Sequence, residues 1–377
     1  MRRRSSVPAL PSKHLSTLSL RLFFIRNRPF AQPSGVSRNR GLQSLPNNTS
    51  TEFQMAQINR ICVVGAGAIG SLFAGHLGTV IESTVLTRRE NHARDLNAQG
   101  LQVSGKSDLH SDIIASTDPA DLGDVDLVII ATKANAVEAS AQRLAGHFPN
   151  AAVMTVQNGL GCEEVVARYG DWPIISSVTF MSGIRHSDTH VEYELDTSTW
   201  MGPWARGRAD YGLVQQVEKL INASGLKAKA FEDLLPAQWS KLIFNAVVNS
   251  VAALTGLPHV KAFAQREGFP DLGRLVYAAM DEGKRVAAAC GVELFEDPWE
   301  MNVEATSHGQ SGNEDYAHAP SMLEDVRARR LTESDWITGA IIREAEKAGI
   351  AAPINETLYR LVKGKEASWV FSDPHKK

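Results

Sequence analysis

The chain has 377 residues, enough for two domains of ordinary size, and its 43% hydrophobic and 21% charged residues suit a protein that buries a core. A formal net charge of −3 at pH 7 argues against a nucleic-acid partner. No apolar run reaches the roughly 18 residues of a membrane span, and Cys62, Cys162 and Cys290 lie too far apart for a metal motif or a disulfide framework.

Within the segment 1–56, the first 51 residues differ from the rest. Arg2, Arg3, Arg4 and Arg21 are among many basic residues, serine is frequent, and the first acidic residue is Glu52. Arg-rich, Ser-rich and acid-free is the pattern of a mitochondrial transit peptide. The alternatives are a disordered extension without an address, in a cytoplasmic protein, or initiation at Met55.

From residue 57 the pattern becomes that of a parallel α/β sheet. Ile61-Cys62-Val63-Val64 is a short continuous apolar run, as in a strand covered on both faces. It leads into Gly65-Ala66-Gly67-Ala68-Ile69-Gly70, and Ser71–Leu77 reads as helix. In this motif Gly65 serves the tight turn, Gly67 the close approach of a pyrophosphate, and Gly70 the packing of helix on strand. The next strand, Ser83–Thr87, ends at Arg88-Arg89, where an NAD-binding chain usually places a carboxylate for the ribose hydroxyl. Guanidinium there suits a 2′-phosphate instead, so NADP is the expected cofactor, with Arg88 its better partner.

Val125–Ala131 and Ala152–Val156 read as two more strands. Lys133 follows the first and Asn158 the second, both at carboxyl ends where ligands of such sheets bind. Strands at Ile174–Val178 and Val191–Tyr193, a helix at Tyr211–Ser224 and a strand at Lys227–Phe231 complete a dinucleotide-binding domain over 57–230. The fold class is therefore α/β, a Rossmann-type domain followed by an all-α domain over 231–372.

In the second domain Ala237–Leu254 is a long apolar helix whose larger polar residues, Lys241, Asn245 and Asn249, recur at i, i+4 and i+8 along one stripe. A solvated face is rarely one lysine and two asparagines among Leu, Ile, Phe and Val, so the stripe reads as facing a ligand. Lysine loses basicity readily on burial, which suits general-acid work near neutral pH. Val276–Cys290 is a further helix, and residues 293–318 read as an irregular acidic loop. Ser321 with Glu324, and Thr332 with Asp335, match capping boxes, with Glu333 then in a first helical turn; cap and site remain open alternatives for Ser321 and Glu333. Helices at Ile337–Ala348 and Asn355–Lys363 end the chain.

Taken in order, the segments GAGAIGSLFAGHL, ATKANAVEA, TVQNGLG, WSKLIFNAVVNSVAALTG and SMLEDVRARRLTESDWITGAI, followed by KAGIAAPINETLYRLVKGKE, resemble the ketopantoate reductases (2-dehydropantoate 2-reductases) over residues 60–368. The resemblance implies NADPH-dependent reduction of 2-dehydropantoate to (R)-pantoate, toward pantothenate and coenzyme A. It makes Lys241 the general acid, Asn245, Asn249 and Ser321 substrate-binding, and Glu333 the acid near the nicotinamide and the lysine. Residues 65–70 with Arg88, Lys133 and Asn158 become cofactor contacts. The chain departs from the family pattern at His259, where bacterial relatives often carry Asn, and at His318-Ala319-Pro320. The expected partner is a small 2-keto acid, and the apolar helices leave room for a homodimer. The alternatives are reduction of another branched 2-keto acid, or NADPH sensing without catalysis.

Overall fold

The computed structural model describes residues 57–265, 267, 270–307 and 319–371. The candidate targeting segment, residues 308–318 of the expected acidic loop, and with them His318, lie outside the described residues.

The first half is built on β1 (Arg60–Val64), α1 (Ala68–Leu77), β2 (Glu82–Leu86), α2 (Glu90–Gln99), β3 (Leu101–Gly105), β4 (Leu109–Ser111) and β5 (Ile114–Ser116). It continues with β6 (Leu127–Ile130), α3 (Val137–Leu144), β7 (Ala152–Thr155), α4 (Cys162–Val166), β8 (Ile174–Thr179), β9 (Ser182–Arg185), β10 (His190–Leu195), β11 (Thr199–Pro203), α5 (Tyr211–Ala223) and β12 (Ala228–Ala230). The main sheet runs β12-β11-β8-β7-β6-β1-β2-β5, parallel from β8 to β5, with β11 antiparallel to β8. Chain order reverses at β1, which has β2 on one side and β6 on the other, so the crevice beyond these strand ends is where such a sheet takes a ligand. The buried runs of β1, β6 and β7 explain why they read as continuous apolar segments: both faces are covered.

A second sheet, β4-β3-β10-β9, lies against α1, whose Leu72, Phe73 and Leu77 join Val103, Val191 and Tyr193 in one core. Each such fully buried side chain contributes about 1.5–3 kcal/mol relative to exposure. The strands between residues 101 and 116 are too short and too polar to stand out in the sequence.

The second half comprises α6 (Leu235–Thr255), α7 (Pro270–Ala289), α8 (Pro298–Ser307), α9 (Ser321–Arg327), α10 (Thr338–Lys347) and α11 (Pro353–Phe371). Helix α6 is apolar nearly all round because it runs through the middle of this half, with α7, α8, α9, α10 and α11 packed on it. Pro236 sits in its first turn, and Gly256, in the left-handed conformation at φ +75°, ends it.

Helix α8 corrects the expectation of an irregular segment from 293 to 318. Asp297 Oδ1 accepts from Trp299 N at 2.8 Å and Glu300 N at 3.4 Å, and Pro298 fills the first helical position. Acid, proline and a first-turn glutamate form a helix start that was legible at 297–300. No described helix is long and apolar enough to cross a membrane, and no described group of three His, Cys, Asp or Glu is placed to hold a metal ion.

Candidate active site

The crevice begins at the glycine loop. Gly65 turns at φ +95°, and a Cβ there would come within 2.6 Å of Thr132 Cγ2. A Cβ on Gly70 would collide with the Gly65 carbonyl oxygen, so this glycine lets α1 start against the strand end. Gly67 differs: a Cβ on it would meet no protein atom within 4 Å. Helix α1 begins at Ala68, three residues before the expected start, so residues 68–70 of the motif are already its first turn. The loop thus offers an open backbone at a helix N-terminus, which suits a phosphate group. Gly65 and Gly70 serve the turn and the helix packing, and the open backbone at Gly67 leaves room of the kind a dinucleotide pyrophosphate takes.

At the end of β2 the two arginines have separate fates. Arg89 Nη2 pairs with Asp188 Oδ1 at 2.5 Å, tying the start of α2 to the turn between β9 and β10. Arg88 is exposed and has no hydrogen-bond or ion-pair partner among the described residues. Of the pair, Arg88 is the one left available to an anion.

Lys133 and Glu333 meet at the end of β6. Lys133 Nζ lies 3.2 Å from Glu333 Oε2 and 3.0 Å from Asp325 Oδ2. Partial burial works against its charge, but the two carboxylates outweigh that, and the lysine titrates above its usual range. Glu333 Oε1 accepts from Ala134 N at 2.7 Å. Neighbouring contacts fix the same loop: Asn135 Nδ2 donates to Thr332 O at 2.7 Å, Trp336 Nε1 to Asn135 Oδ1 at 3.0 Å, and Leu160 N to Trp336 O at 3.0 Å. From below, Glu366 Oε1 accepts from Thr332 N at 2.8 Å and Thr332 Oγ1 at 2.6 Å. Gly159, at φ +107°, is required by the Trp336 carbonyl, with which a Cβ would collide. The close approach at Gly159 is made by this loop.

Both capping boxes are corrected. Pro320 is the N-cap of α9, and its carbonyl takes Leu323 N at 2.9 Å and Glu324 N at 3.2 Å. Ser321 therefore occupies the first helical position, exposed, and among the described residues its hydroxyl has no hydrogen-bond partner. Helix α10 starts at Thr338, beyond the Thr332–Asp335 pair. Asp335 instead takes Tyr359 Oη at 2.6 Å and Lys363 Nζ at 3.0 Å. Glu333 accordingly lies outside any helical first turn and faces Lys133.

The polar stripe of α6 is covered by protein rather than water. Lys241 and Asn249 are each 5% exposed, and Asn245 is half-buried. Lys241 Nζ donates to Thr179 O and sits 4.6 Å from the Phe180 ring centroid. Burial lowers its pKa to about 7, against an opposing pull from Glu333. Asn245 Nδ2 donates to Asn158 Oδ1 at 3.2 Å, so the end of β7 meets α6 directly. Asn249 Oδ1 accepts from Met322 N at 3.4 Å, in the first turn of α9 that also carries Ser321. His259 is turned into the helical core, with Nε2 2.8 Å from Asn302 Oδ1.

The structure thus brings Lys133, Asn158, Lys241, Asn245, Asn249 and Glu333 onto one junction of the sheet ends with α6, and Ser321 is tied to it through α9. Sequence reasoning missed Asp325, Asn135, Trp336 and Glu366, which hold that junction. Only Asp325 carried a signal: it lies four residues after Ser321, on the same face of α9.

Two family models match this chain: residues 61–206 fit ketopantoate reductase PanE/ApbA, and residues 233–366 its C-terminal counterpart. The chain belongs to the ketopantoate reductase family. Among its curated relatives, a 2-dehydropantoate 2-reductase of Pyrococcus horikoshii is 29% identical over 308 residues, covering 82% of this chain and 98% of that one. Another, of Archaeoglobus fulgidus, is 28% identical over 313 residues, covering 82% and 99%. Among solved structures, a 2-dehydropantoate 2-reductase from Geobacter metallireducens aligns at a TM-score of 0.71 with 26% identity, over 81% of this chain and 99% of that one. D-mandelate dehydrogenase with NADH and anilino(oxo)acetate aligns at 0.72 with 23% identity, over 82% and 99%, a likeness of fold.

Proposed function

We propose that this member of the family reduces 2-dehydropantoate to (R)-pantoate with NADPH. The observation that carries the reading is Lys241, a buried ammonium with a pKa near 7 on the helix that meets the sheet's carboxyl ends. A proton donor of that strength is matched to an alkoxide forming at neutral pH.

The dinucleotide, when bound, supplies a hydride to the ketone carbon. The chain's own residues do the rest. The open backbone of residues 65–70 binds the pyrophosphate, and Arg88 binds the 2′-phosphate that separates NADPH from NADH. Lys133 and Asn158 hold the cofactor from the ends of β6 and β7. Ser321, Asn245 and Asn249 orient the keto acid, the serine taking its carboxylate. Lys241 stabilises the negative charge that grows on the ketone oxygen and gives that oxygen its proton, while Glu333 sustains the ammonium form. The products are a secondary alcohol and a neutral lysine that solvent recharges.

The test is oxidation of NADPH by the full chain, offered 2-dehydropantoate beside pyruvate-like and other branched 2-keto acids, with NADH as the control. Selective turnover of 2-dehydropantoate with NADPH supports the reading. Turnover of another 2-keto acid would keep the chemistry and change the substrate. NADPH binding with no turnover would favour a sensor.

A further inference from the structure

Lys133 has two carboxylates on its ammonium, and the family reading assigns a role to only one of them. The second, Asp325, lies on α9, and its side chain is only 3% exposed, whereas that of Lys133 is 50% exposed. Its two oxygens point to different places. Oδ1 takes Arg330 Nε at 3.1 Å within its own loop, and Oδ2 takes Lys133 Nζ at 3.0 Å, 192 residues away in the sheet domain. Were Asp325 only a fastener for the turn after α9, the Arg330 arm and the Arg330 N to Asp325 O bond at 2.8 Å would serve. The Oδ2 arm does something else: it fixes a flexible, half-exposed lysine at the mouth of the crevice. Glu333 cannot do this alone, because its Oε1 is occupied by Ala134 N and only Oε2 faces Nζ.

We infer that Asp325 is a positioning residue that holds Lys133 in place for the dinucleotide and ties α9, which carries Ser321, to the end of β6. The inference rests on the reading that Lys133 contacts the cofactor. A lysine held by one carboxylate on one side samples several rotamers, and that freedom is lost when the cofactor binds. Between two carboxylates the side chain is ordered beforehand. Removing Asp325 therefore weakens cofactor binding far more than it slows the bound enzyme.

The experiment uses the full chain and reads NADPH binding by fluorescence, with melting temperature alongside. Asp325→Asn is expected to raise the NADPH Kd about tenfold, while kcat at saturating cofactor changes little. In a Lys133→Met background the same substitution changes Kd less than about twofold, because the residue it acts through is gone. Asp325→Glu, which keeps the charge, recovers part of the loss. Arg330→Ala, which cuts only the other arm, lowers the melting temperature and leaves Kd within about threefold of wild type. Equal losses for Asp325→Asn in both backgrounds, or an Arg330→Ala Kd as poor as that of Asp325→Asn, would overturn the inference. Binding is read without substrate, so failure of 2-dehydropantoate turnover leaves this test standing. A wild-type chain that does not bind NADPH overturns the inference together with the cofactor reading.

Discussion

Glu333 reaches back 200 residues to the end of β6, where its Oε2 lies 3.2 Å from Lys133 Nζ while its Oε1 holds Ala134 N. The same carboxylate pulls the Lys241 pKa upward against burial. One side chain thus acts on the crevice lysine of the sheet and on the buried lysine of α6.

Removing that charge has a directional consequence. In Glu333→Gln the pull on Lys241 disappears while burial remains, so the ammonium gives up its proton at lower pH. In the proposed mechanism reduction needs the protonated lysine. The alkaline limb of kcat/KM for the keto acid, near pH 7 in the wild type by the lysine's value, therefore moves to lower pH. A pH–rate profile of the two proteins checks this; an unmoved limb would separate Glu333 from Lys241.

Lys241 also opposes folding. Its pKa falls from 10.5 to about 7, and each unit is worth about 1.4 kcal/mol. The folded-state value lies below the unfolded one, so the penalty is present in full below about pH 7, where both states are charged. It is relieved as pH rises toward 10.5, where the folded state is neutral and the unfolded chain still binds a proton. Lys241→Met is therefore more stable than wild type at about pH 6, by on the order of several kcal/mol, with a smaller gain at about pH 9. Urea midpoints at the two pH values measure it.

The two glycines at either end of the helix start part company on mutation. Gly70→Ala forces a methyl group into the Gly65 carbonyl and costs about 1–3 kcal/mol or more of stability. Gly67→Ala meets no protein atom, so the melting temperature stays close to that of the wild type, while on the proposed reading the methyl group occupies the space of the pyrophosphate. Thermal melts with and without NADPH distinguish them: Gly67→Ala melts normally and loses the ligand-induced rise.

Arg88→Ala removes an exposed guanidinium that holds nothing else in the described structure. It is expected to raise the NADPH KM about ten- to a hundredfold and leave the NADH KM little changed. Arg89→Ala instead breaks the pair with Asp188 and lowers stability more than cofactor selectivity. Steady-state kinetics with both cofactors decide between the two arginines.

Much of this was legible because it is local. The apolar runs of β1, β6 and β7, the glycine loop between β1 and α1, and the period-four stripe on α6 are each written in a few consecutive turns of chain. Asp325 and Lys133 are joined only by the packing of the two halves, which no spacing rule encodes. The apparent caps at Ser321 and Thr332 were matched by residue type, but Pro320 had already taken the cap of α9, and Glu366 had taken Thr332. Strands β3 to β5 draw their burial from α1 and α2 rather than from their own composition.

The most direct measurement is single-turnover oxidation of NADPH by 2-dehydropantoate in the wild type and in Lys241→Met, with NADPH affinity measured in both. The wild type is expected to turn over, and the variant to bind NADPH equally well but react about a hundred- to ten-thousandfold more slowly. A variant that retains wild-type turnover, or that loses cofactor binding and turnover in the same proportion, would contradict the role of Lys241 as proton donor.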